Sequence, residues 1–119
     1  MDQNLTVACF NSQSMCNKVC GNLEMLKDRE VDICCVTETW IKAKENAIFA
    51  EIHDFGFDVI SSPRRGKGGG VAFVFNPKRV SLKENFVKGF KSFEVFECII
   101  KTNDKIIRIC TIYRIYYQI

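Results

Sequence analysis

The sequence is poor in the residues that interrupt folded structure. It has two prolines and seven glycines in 119 residues, while 47% of its residues are hydrophobic and ten are phenylalanine. This composition excludes a low-complexity or intrinsically disordered chain. No apolar run reaches the roughly 18 residues that a membrane-spanning helix needs. Charged residues interrupt the candidate runs, namely Asp32, Lys101, Lys105 and Arg108. The length fits one compact domain with a single core.

Histidine is nearly absent, with one in the chain, and the charge is close to balance at a net +3. This small excess is compatible with a polyanionic partner and assigns none. The cysteine count is seven, which is odd, and no secretory signal precedes the first apolar run. Five cysteines lie inside apolar runs: Cys9, Cys34, Cys35, Cys98 and Cys110. We therefore expect reduced core cysteines in an intracellular protein, nuclear or cytoplasmic.

Apolar patterning predicts an α/β fold. Residues 5–10 (LTVACF) have the length and composition of a strand, and a helix is predicted from Ser14, with Met15, Val19, Leu23 and Leu26 on one face. A second strand, buried on both faces, is predicted for VDICCVTE, residues 31–38. Strand, helix and strand in close succession are typical of α/β architecture.

The second half is predicted to be mainly strands. A short helix in residues 41–52 and a short strand in residues 56–62 precede a glycine-rich turn and the strand VAFVF, residues 71–75. The runs FEVFECIIKT and KIIRICTIYR then flank Asn103 and Asp104, which predicts an antiparallel hairpin.

Polar side chains end three of these apolar runs: Asn11, Glu38 and the pair Tyr113-Arg114. Ligands of open α/β sheets bind beyond strand ends, so convergence of these side chains would form a site. Each residue also has a structural interpretation. Asn11 could be a turn residue, Glu38 an acid at the solvated rim, and Tyr113 a core ring with a bonded hydroxyl.

Three segments together carry a resemblance to a known family. They are FNSQSMCNKVCGNLEMLKDREVDICCVTETW, RRGKGGGVAFVF and ICTIYR. In letters, order and separation they resemble the N-terminal half of the endonuclease/exonuclease/phosphatase family, and specifically the apurinic-endonuclease-like domain of non-LTR, LINE-type retrotransposons. The resemblance implies the first half of a four-layer, DNase I-like α/β sandwich: a mixed sheet with at least one helix packed on it. Residues 1–119 are then a partial domain whose C-terminal half is missing.

The resemblance also implies a chemistry. Glu38 matches the carboxylate that binds the catalytic cation, Mg²⁺ or Mn²⁺, and Asn11 matches a residue that holds this metal or the scissile phosphate. Tyr113 matches a tyrosine near the phosphate. The implied reaction is hydrolysis of a DNA phosphodiester by an activated water. A single carboxylate at a strand end suits Mg²⁺, which takes oxygen ligands and keeps several waters.

The segment RRGKGGG lacks the Gly-Lys-Ser/Thr ending of a nucleotide-binding P-loop. It is either an exposed basic turn or a DNA-backbone contact made by Arg64, Arg65 and Lys67, with Arg114 as a fourth basic candidate. The lone histidine, His53, lies in a predicted loop with no motif around it, and the family's catalytic histidine comes far downstream of the Tyr-Arg segment. His53 is therefore not assigned a catalytic role.

The family's remaining catalytic residues belong to its C-terminal half, so we expect the 119-residue chain to be catalytically incomplete by itself. Half of a sandwich also leaves a sheet face uncovered, which predicts self-association. Three alternatives stay open: a DNA- or protein-binding remnant without chemistry, a phosphatase-type member of the same family, and a thiol or metal module built on Cys16 and Cys20. The last has neither a CxxC pair nor a nearby histidine, so zinc is not expected.

Overall fold

The computed structural model describes residues 4–12, 19–39, 41, 46–62, 70–90 and 93–114, the side chain of Arg114 excepted. Within them the elements are β1 (Val7–Asn11), α1 (Val19–Asp28), β2 (Ile33–Thr37), α2 (Asn46–Asp54), β3 (Asp58–Ser62), β4 (Val71–Phe75), β5 (Ser81–Gly89), β6 (Phe93–Lys101) and β7 (Ile106–Arg114). The chain divides into two compact units, an N-terminal unit (Met1–Pro77) and a C-terminal unit (Lys78–Ile119). None of the described helices is long and apolar enough to cross a bilayer.

A mixed four-stranded sheet forms the centre of the N-terminal unit. Its strand order is β1-β2-β4-β3, with β1 parallel to β2 and the other two pairings antiparallel. The parallel pair is connected through α1, as the strand-helix-strand pattern predicts. In β2 and β4 the alternation of buried and exposed residues is lost, since Ile33 to Val36 and all of β4 are buried.

Both helices contribute to the core on one face of this sheet. Val19, Leu23 and Leu26 of α1 and Ile52 of α2 are buried together with Cys34, Val36 and Val74 of the strands. The first three residues repeat at intervals of four and three, so they form one stripe of the helix. This confirms the predicted helix over the part described, while its expected start at Ser14 and Met15 lies outside the described residues.

Each helix ends in a left-handed residue. At the end of α1, Val31 N–H donates to Leu26 O (2.9 Å) and Glu30 N–H to Lys27 O (3.2 Å), with Glu30 at φ 52°. At the end of α2, Phe57 N–H donates to Ile52 O, and Gly56, at φ 93°, donates to His53 O. Both are Schellman motifs, which bond the carbonyls that a helix end leaves without partners.

The C-terminal unit is an antiparallel three-stranded sheet in the order β5-β6-β7. The predicted hairpin is β6-β7, closed by Thr102 N–H donating to Lys105 O (2.9 Å). On the opposite side of β6 from Phe96 and Cys98, the buried Glu97 pairs with Arg108 Nε at 2.8 Å and accepts from the Cys110 thiol at 3.4 Å. A carboxylate this poorly exposed requires such partners.

Several sequence expectations fail in detail. Strand β5 is not predicted, because nearly all of its residues are exposed and it has no apolar pattern. Only its pairing with β6 defines it. His53 lies in α2 rather than in a loop. Cys9 and Cys110 are exposed, whereas Cys34, Cys35 and Cys98 are buried as expected. The strands that carry the two exposed cysteines are the last in their sheets among the described strands, so each has one neighbouring strand rather than two.

Candidate active site

The ends of β1 and β2 bring two of the predicted site residues to the same edge of the sheet. Asn11, the last residue of β1, lies opposite Thr37, the last residue of β2, in the parallel ladder. Glu38 follows Thr37 directly. Because the two strands run in the same direction, the residues that follow them emerge side by side. Asn11 is exposed and Glu38 is half-buried, so neither is enclosed in the core.

Glu38 has an unusual backbone conformation. Its φ is 52°, in the left-handed region, where the Cβ of a residue other than glycine crowds the backbone. This turn ends β2, so the side chains stop alternating between the two faces of the sheet after Thr37. Sterically disfavoured backbone at a strand end persists only where the surroundings hold it.

Ser12 supplies one of the groups that hold this turn. Its N–H donates to Thr37 O at 3.0 Å, which extends the β1-β2 ladder by one rung. Its hydroxyl lies 3.0 Å from Glu38 O and 3.3 Å from Thr37 O. Ser12 is buried, with 4% of its surface exposed. The segment after β1 is therefore tied to the backbone of Glu38 itself.

Thr39 and Gly70 hold the other side of the turn. Thr39 N–H donates to Gly70 O at 3.3 Å, and the fully buried Thr39 hydroxyl accepts from Ile41 N–H at 3.3 Å. Gly70 is the last glycine of the GGG run and has φ 89°, which glycine adopts without a Cβ penalty. Through this bond the start of β4 is fixed against the residue after Glu38.

The donor set at this edge fits a hard cation. Glu38 offers carboxylate oxygens and Asn11 an amide oxygen, and Mg²⁺ selects such ligands while retaining waters. Among the described residues no cluster of three or more His, Cys, Asp or Glu side chains is present, so a site held wholly by acidic, thiol or imidazole ligands does not form there. A site with Glu38 as its one carboxylate and Asn11 beside it stays a prediction.

Tyr113 belongs to the C-terminal unit. It lies in β7 opposite Glu94 of β6 and is 8% exposed, on the face of the sheet opposite to Ile112. Arg114 is the last residue of β7, and its side chain is outside the described residues, as are Arg64, Arg65 and Lys67. The structure thus places Asn11 and Glu38 at the same edge of the N-terminal sheet, and the meeting of the three predicted side chains stays a prediction.

The described residues that flank the basic segment lie at the same edge as Glu38. Ser62, the last residue of β3, pairs with Val71, the first residue of β4, and Val71 also pairs with Thr37. The chain between residues 62 and 70 therefore leaves and re-enters the sheet at this edge. His53 is elsewhere: its Nε2 is 3.2 Å from Asp58 Oδ1, and Asp58 begins β3 at the opposite end.

Three of the described thiols, Cys20, Cys34 and Cys110, do not have the properties of activated nucleophiles. Burial is the main cause that raises the pKa of Cys34 to about 12. A side-chain hydrogen bond to Glu24 raises the pKa of Cys20, and desolvation together with a bond to Glu97 raises that of Cys110. Reactive thiols have lowered pKa values, so these features speak against a thiol-based site on those three cysteines. Cys16 lies outside the described residues.

Sequence reasoning missed the groups that hold the Glu38 turn. The sequence patterns assign no role to Ser12 or Thr39, and they predict Gly70 only as part of a glycine-rich turn. A serine directly after a strand-ending asparagine, and a glycine directly before a buried strand, were the available signals. Their bonding partners are 26 and 31 positions away, which a local pattern does not reveal.

The arrangement of strands and helices is that of the DNase I-like endonuclease/exonuclease/phosphatase fold. Humanized D. rerio TDP2 is similar over 91% of this chain and 46% of its own, with a TM-score of 0.70 and 14% identity. D. rerio TDP2 complexed with a single-stranded DNA product gives a TM-score of 0.67 and 10% identity, over 93% and 46% of the two chains.

Two further structures show the same likeness. An AP endonuclease from Archaeoglobus fulgidus has a TM-score of 0.63 and 23% identity over 83% of this chain and 40% of its own. An endonuclease/exonuclease/phosphatase family protein from Bacteroides thetaiotaomicron has a TM-score of 0.62 and 14% identity, over 91% and 47%. The chain thus spans less than half the length of these structures. No family model and no curated protein matches its sequence.

Proposed function

We propose that the chain is the N-terminal part of a magnesium-dependent DNA phosphodiester endonuclease of the retrotransposon type. The observation that carries this proposal is Glu38, a half-exposed carboxylate in a left-handed turn beside the strand-ending Asn11. The fold provides the setting, since proteins of this fold include an AP endonuclease and a TDP2 solved with a DNA product.

In this proposal Glu38 and Asn11 hold the cation through oxygen atoms. When bound, Mg²⁺ would stabilise negative charge on the phosphate and on the leaving oxygen. Glu38 fixes the position of the cation, and Asn11 orients the metal or the phosphate beside it. The Tyr113 hydroxyl donates a hydrogen bond to a phosphate oxygen whose charge grows during attack.

DNA as the substrate is supported by the basic segment and by one of the similar structures. Arg64, Arg65 and Lys67 are proposed to contact backbone phosphates, and the residues that flank their segment, Ser62 and Gly70, lie at the edge that carries Glu38. Such contacts position DNA without reading its sequence. Arg114, at the end of β7, is proposed as a fourth phosphate contact. The segments TETW and GGGVAF support the retrotransposon type rather than a phosphatase of the same fold.

The 119-residue chain is proposed to bind DNA and metal without hydrolysing the DNA. General acid-base help contributes typically 10²–10⁴-fold in rate, and the family resemblance assigns the water-activating base to the family's C-terminal half. We also propose an intracellular location, nuclear or cytoplasmic, which suits the buried cysteines Cys34, Cys35 and Cys98, none of which forms a disulfide.

The experiment combines DNA binding with plasmid nicking. Fluorescence anisotropy with a labelled duplex should show affinity that falls steeply with salt. The slope of DNA affinity against salt concentration should be smaller when Arg64, Arg65 and Lys67 are changed to alanine. It should be unchanged in a matched control in which the exposed Lys27, Lys101 and Lys105 are changed to alanine. No binding at low salt would contradict DNA as the partner.

The nicking assay uses supercoiled plasmid and Mg²⁺. We expect no nicking by the 119-residue chain. Nicking that Glu38→Ala abolishes would overturn the proposed incompleteness while supporting the endonuclease. Release of phosphate from a small phosphomonoester, again lost in Glu38→Ala, would favour the phosphatase alternative.

A further inference from the structure

We infer that Ser12 is a positioning residue whose hydroxyl holds Glu38 in its left-handed backbone conformation and thereby places the carboxylate. The inference rests on the proposed function in one respect, the metal that the carboxylate binds. Its geometric part stands on the hydrogen bonds of the described residues alone.

Among the described residues, two acceptors lie within reach of the Ser12 hydroxyl, which has one proton to donate. The nearer acceptor is Glu38 O at 3.0 Å, against 3.3 Å for Thr37 O. Thr37 O already accepts from the Ser12 N–H at 3.0 Å. The shorter contact and the existing bond both assign the proton to Glu38 O.

This bond acts on the peptide group between Glu38 and Thr39. Its oxygen accepts from Ser12, and its N–H donates to Gly70 O at 3.3 Å. The plane of one peptide group is therefore held at both ends, by residues from the segments before α1 and before β4. Since this plane sets ψ of Glu38, the two bonds together restrict the backbone from which the carboxylate projects.

Burial increases the contribution of the Ser12 hydroxyl bond to the stability of the turn. Ser12 is 4% exposed and Thr39 is fully buried, so water does not easily replace the hydroxyl if it is removed. Loss of this part-buried hydrogen bond costs free energy, and the left-handed turn at Glu38 adds to that cost. Loss of the hydroxyl should therefore let Glu38 relax out of its left-handed conformation.

A double-mutant cycle tests this holding role without any metal. Ser12→Ala is made in the wild-type chain and in the Glu38→Gly variant, in which no Cβ opposes the left-handed turn. The loss of Tm caused by Ser12→Ala should be clearly smaller in the Glu38→Gly background, because the turn then needs less support. Equal losses in the two backgrounds would overturn the inference.

Two further variants separate position from structure. Ser12→Thr keeps a hydroxyl and should restore most of the Tm lost in Ser12→Ala. Ser61→Ala, in β3 of the same sheet, removes a buried hydroxyl that has no partner among the described residues, so its Tm should be unchanged or raised. A Ser61→Ala loss as large as that of Ser12→Ala would mean that any buried serine has this effect.

A metal-binding experiment uses Mn²⁺ alone as the probe, and the affinity for Mn²⁺ is measured from water-proton relaxation. Ser12→Ala should bind Mn²⁺ at least 10-fold more weakly than wild type while still folding, and Ser12→Thr should recover the affinity. If Glu38→Gln loses binding and Ser12→Ala keeps it, the inference fails and the proposed function stands. If wild type itself binds no Mn²⁺, the proposed metal site fails, and the metal-placing role of Ser12 fails with it.

Discussion

Asn11 lies directly opposite Thr37 in the parallel ladder of β1 and β2. This register puts the residue after Thr37, Glu38, beside the end of β1, and a shift of one position would move either residue to the other face of the sheet. The candidate site thus depends on the pairing of two short strands that have the connecting helix α1 packed against them.

Glu38→Gly should stabilise the fold and remove metal binding at once. Glycine adopts φ 52° without a Cβ penalty, so the free energy of unfolding should rise by about 1 kcal/mol. The carboxylate is lost, so Mn²⁺ should no longer bind. Urea unfolding and metal titration measure the two effects.

Glu30→Gly is the matched control for that variant. Glu30 has the same φ of 52° at the end of α1, and it precedes β2 whereas Glu38 follows it, so the two lie at opposite ends of that strand. It should gain about 1 kcal/mol in the same way and leave Mn²⁺ affinity unchanged. A destabilised Glu38→Gly beside a stabilised Glu30→Gly would show that the Glu38 side chain has a structural role that outweighs its backbone strain.

Substitution by alanine should change the stability in opposite directions at two glycines, one after a helix and one inside a helix. Gly56 closes α2 at φ 93°, so Gly56→Ala should cost about 1 kcal/mol of stability. Gly21 lies within α1 with open space around an added Cβ, so Gly21→Ala should gain up to about 1 kcal/mol. Urea midpoints at unchanged m-values provide the comparison. Stability changes of the same sign in the two variants would contradict the placement of Gly56 at a left-handed helix end and of Gly21 inside a helix.

Stability should fall in alkaline solution because of Cys34. Its pKa is raised from 9.0 to about 12, mainly by burial, so between these pH values the unfolded chain loses a proton that the folded chain keeps. The contribution is complete below pH 9 and is lost as the pH rises toward 12, with a slope of about 1.4 kcal/mol per pH unit. Cys34→Ala should remove that part of the slope between pH 9 and 10.5, and an unchanged slope would place the titrating group elsewhere.

Self-association should involve an exposed apolar face of the C-terminal sheet. Phe86, Ile106 and Ile112 lie on one face by their register and are 48%, 71% and 68% exposed. Exposed apolar patches promote association. Light scattering should show mass that rises with concentration, and Ile112→Lys should reduce it, whereas Met25→Lys in α1 should not. A monomer at all concentrations would contradict this prediction.

The strands and helices of the core were predictable because burial leaves a clear sequence pattern. Residues 71–75 and the β6-β7 hairpin follow from continuous or alternating apolar runs. Strand β5 was not predictable from such a pattern, since almost all of its side chains are exposed. The exposure of Cys9 and Cys110 also depends on which strands become edges, and strand order is a long-range property.

The proposed ligands of the candidate site were predictable from the sequence, and the backbone geometry around them was not. Asn11 and Glu38 stand out as polar residues that close apolar runs. The left-handed conformation of Glu38 has no local signal, because glycine and asparagine are the residues usually found there. The contacts of Ser12 and Gly70 with this turn join segments that only the folded sheet brings together.

The most direct measurement is paramagnetic broadening by Mn²⁺ in the amide NMR spectrum of the 119-residue chain. The account predicts selective broadening of the Asn11, Ser12 and Glu38 signals at low Mn²⁺, with Asp58 at the opposite end of the sheet unaffected, and loss of this pattern in Glu38→Gln. Broadening that is absent at this edge, or that persists unchanged in Glu38→Gln, would contradict the metal site on which the proposed endonuclease depends.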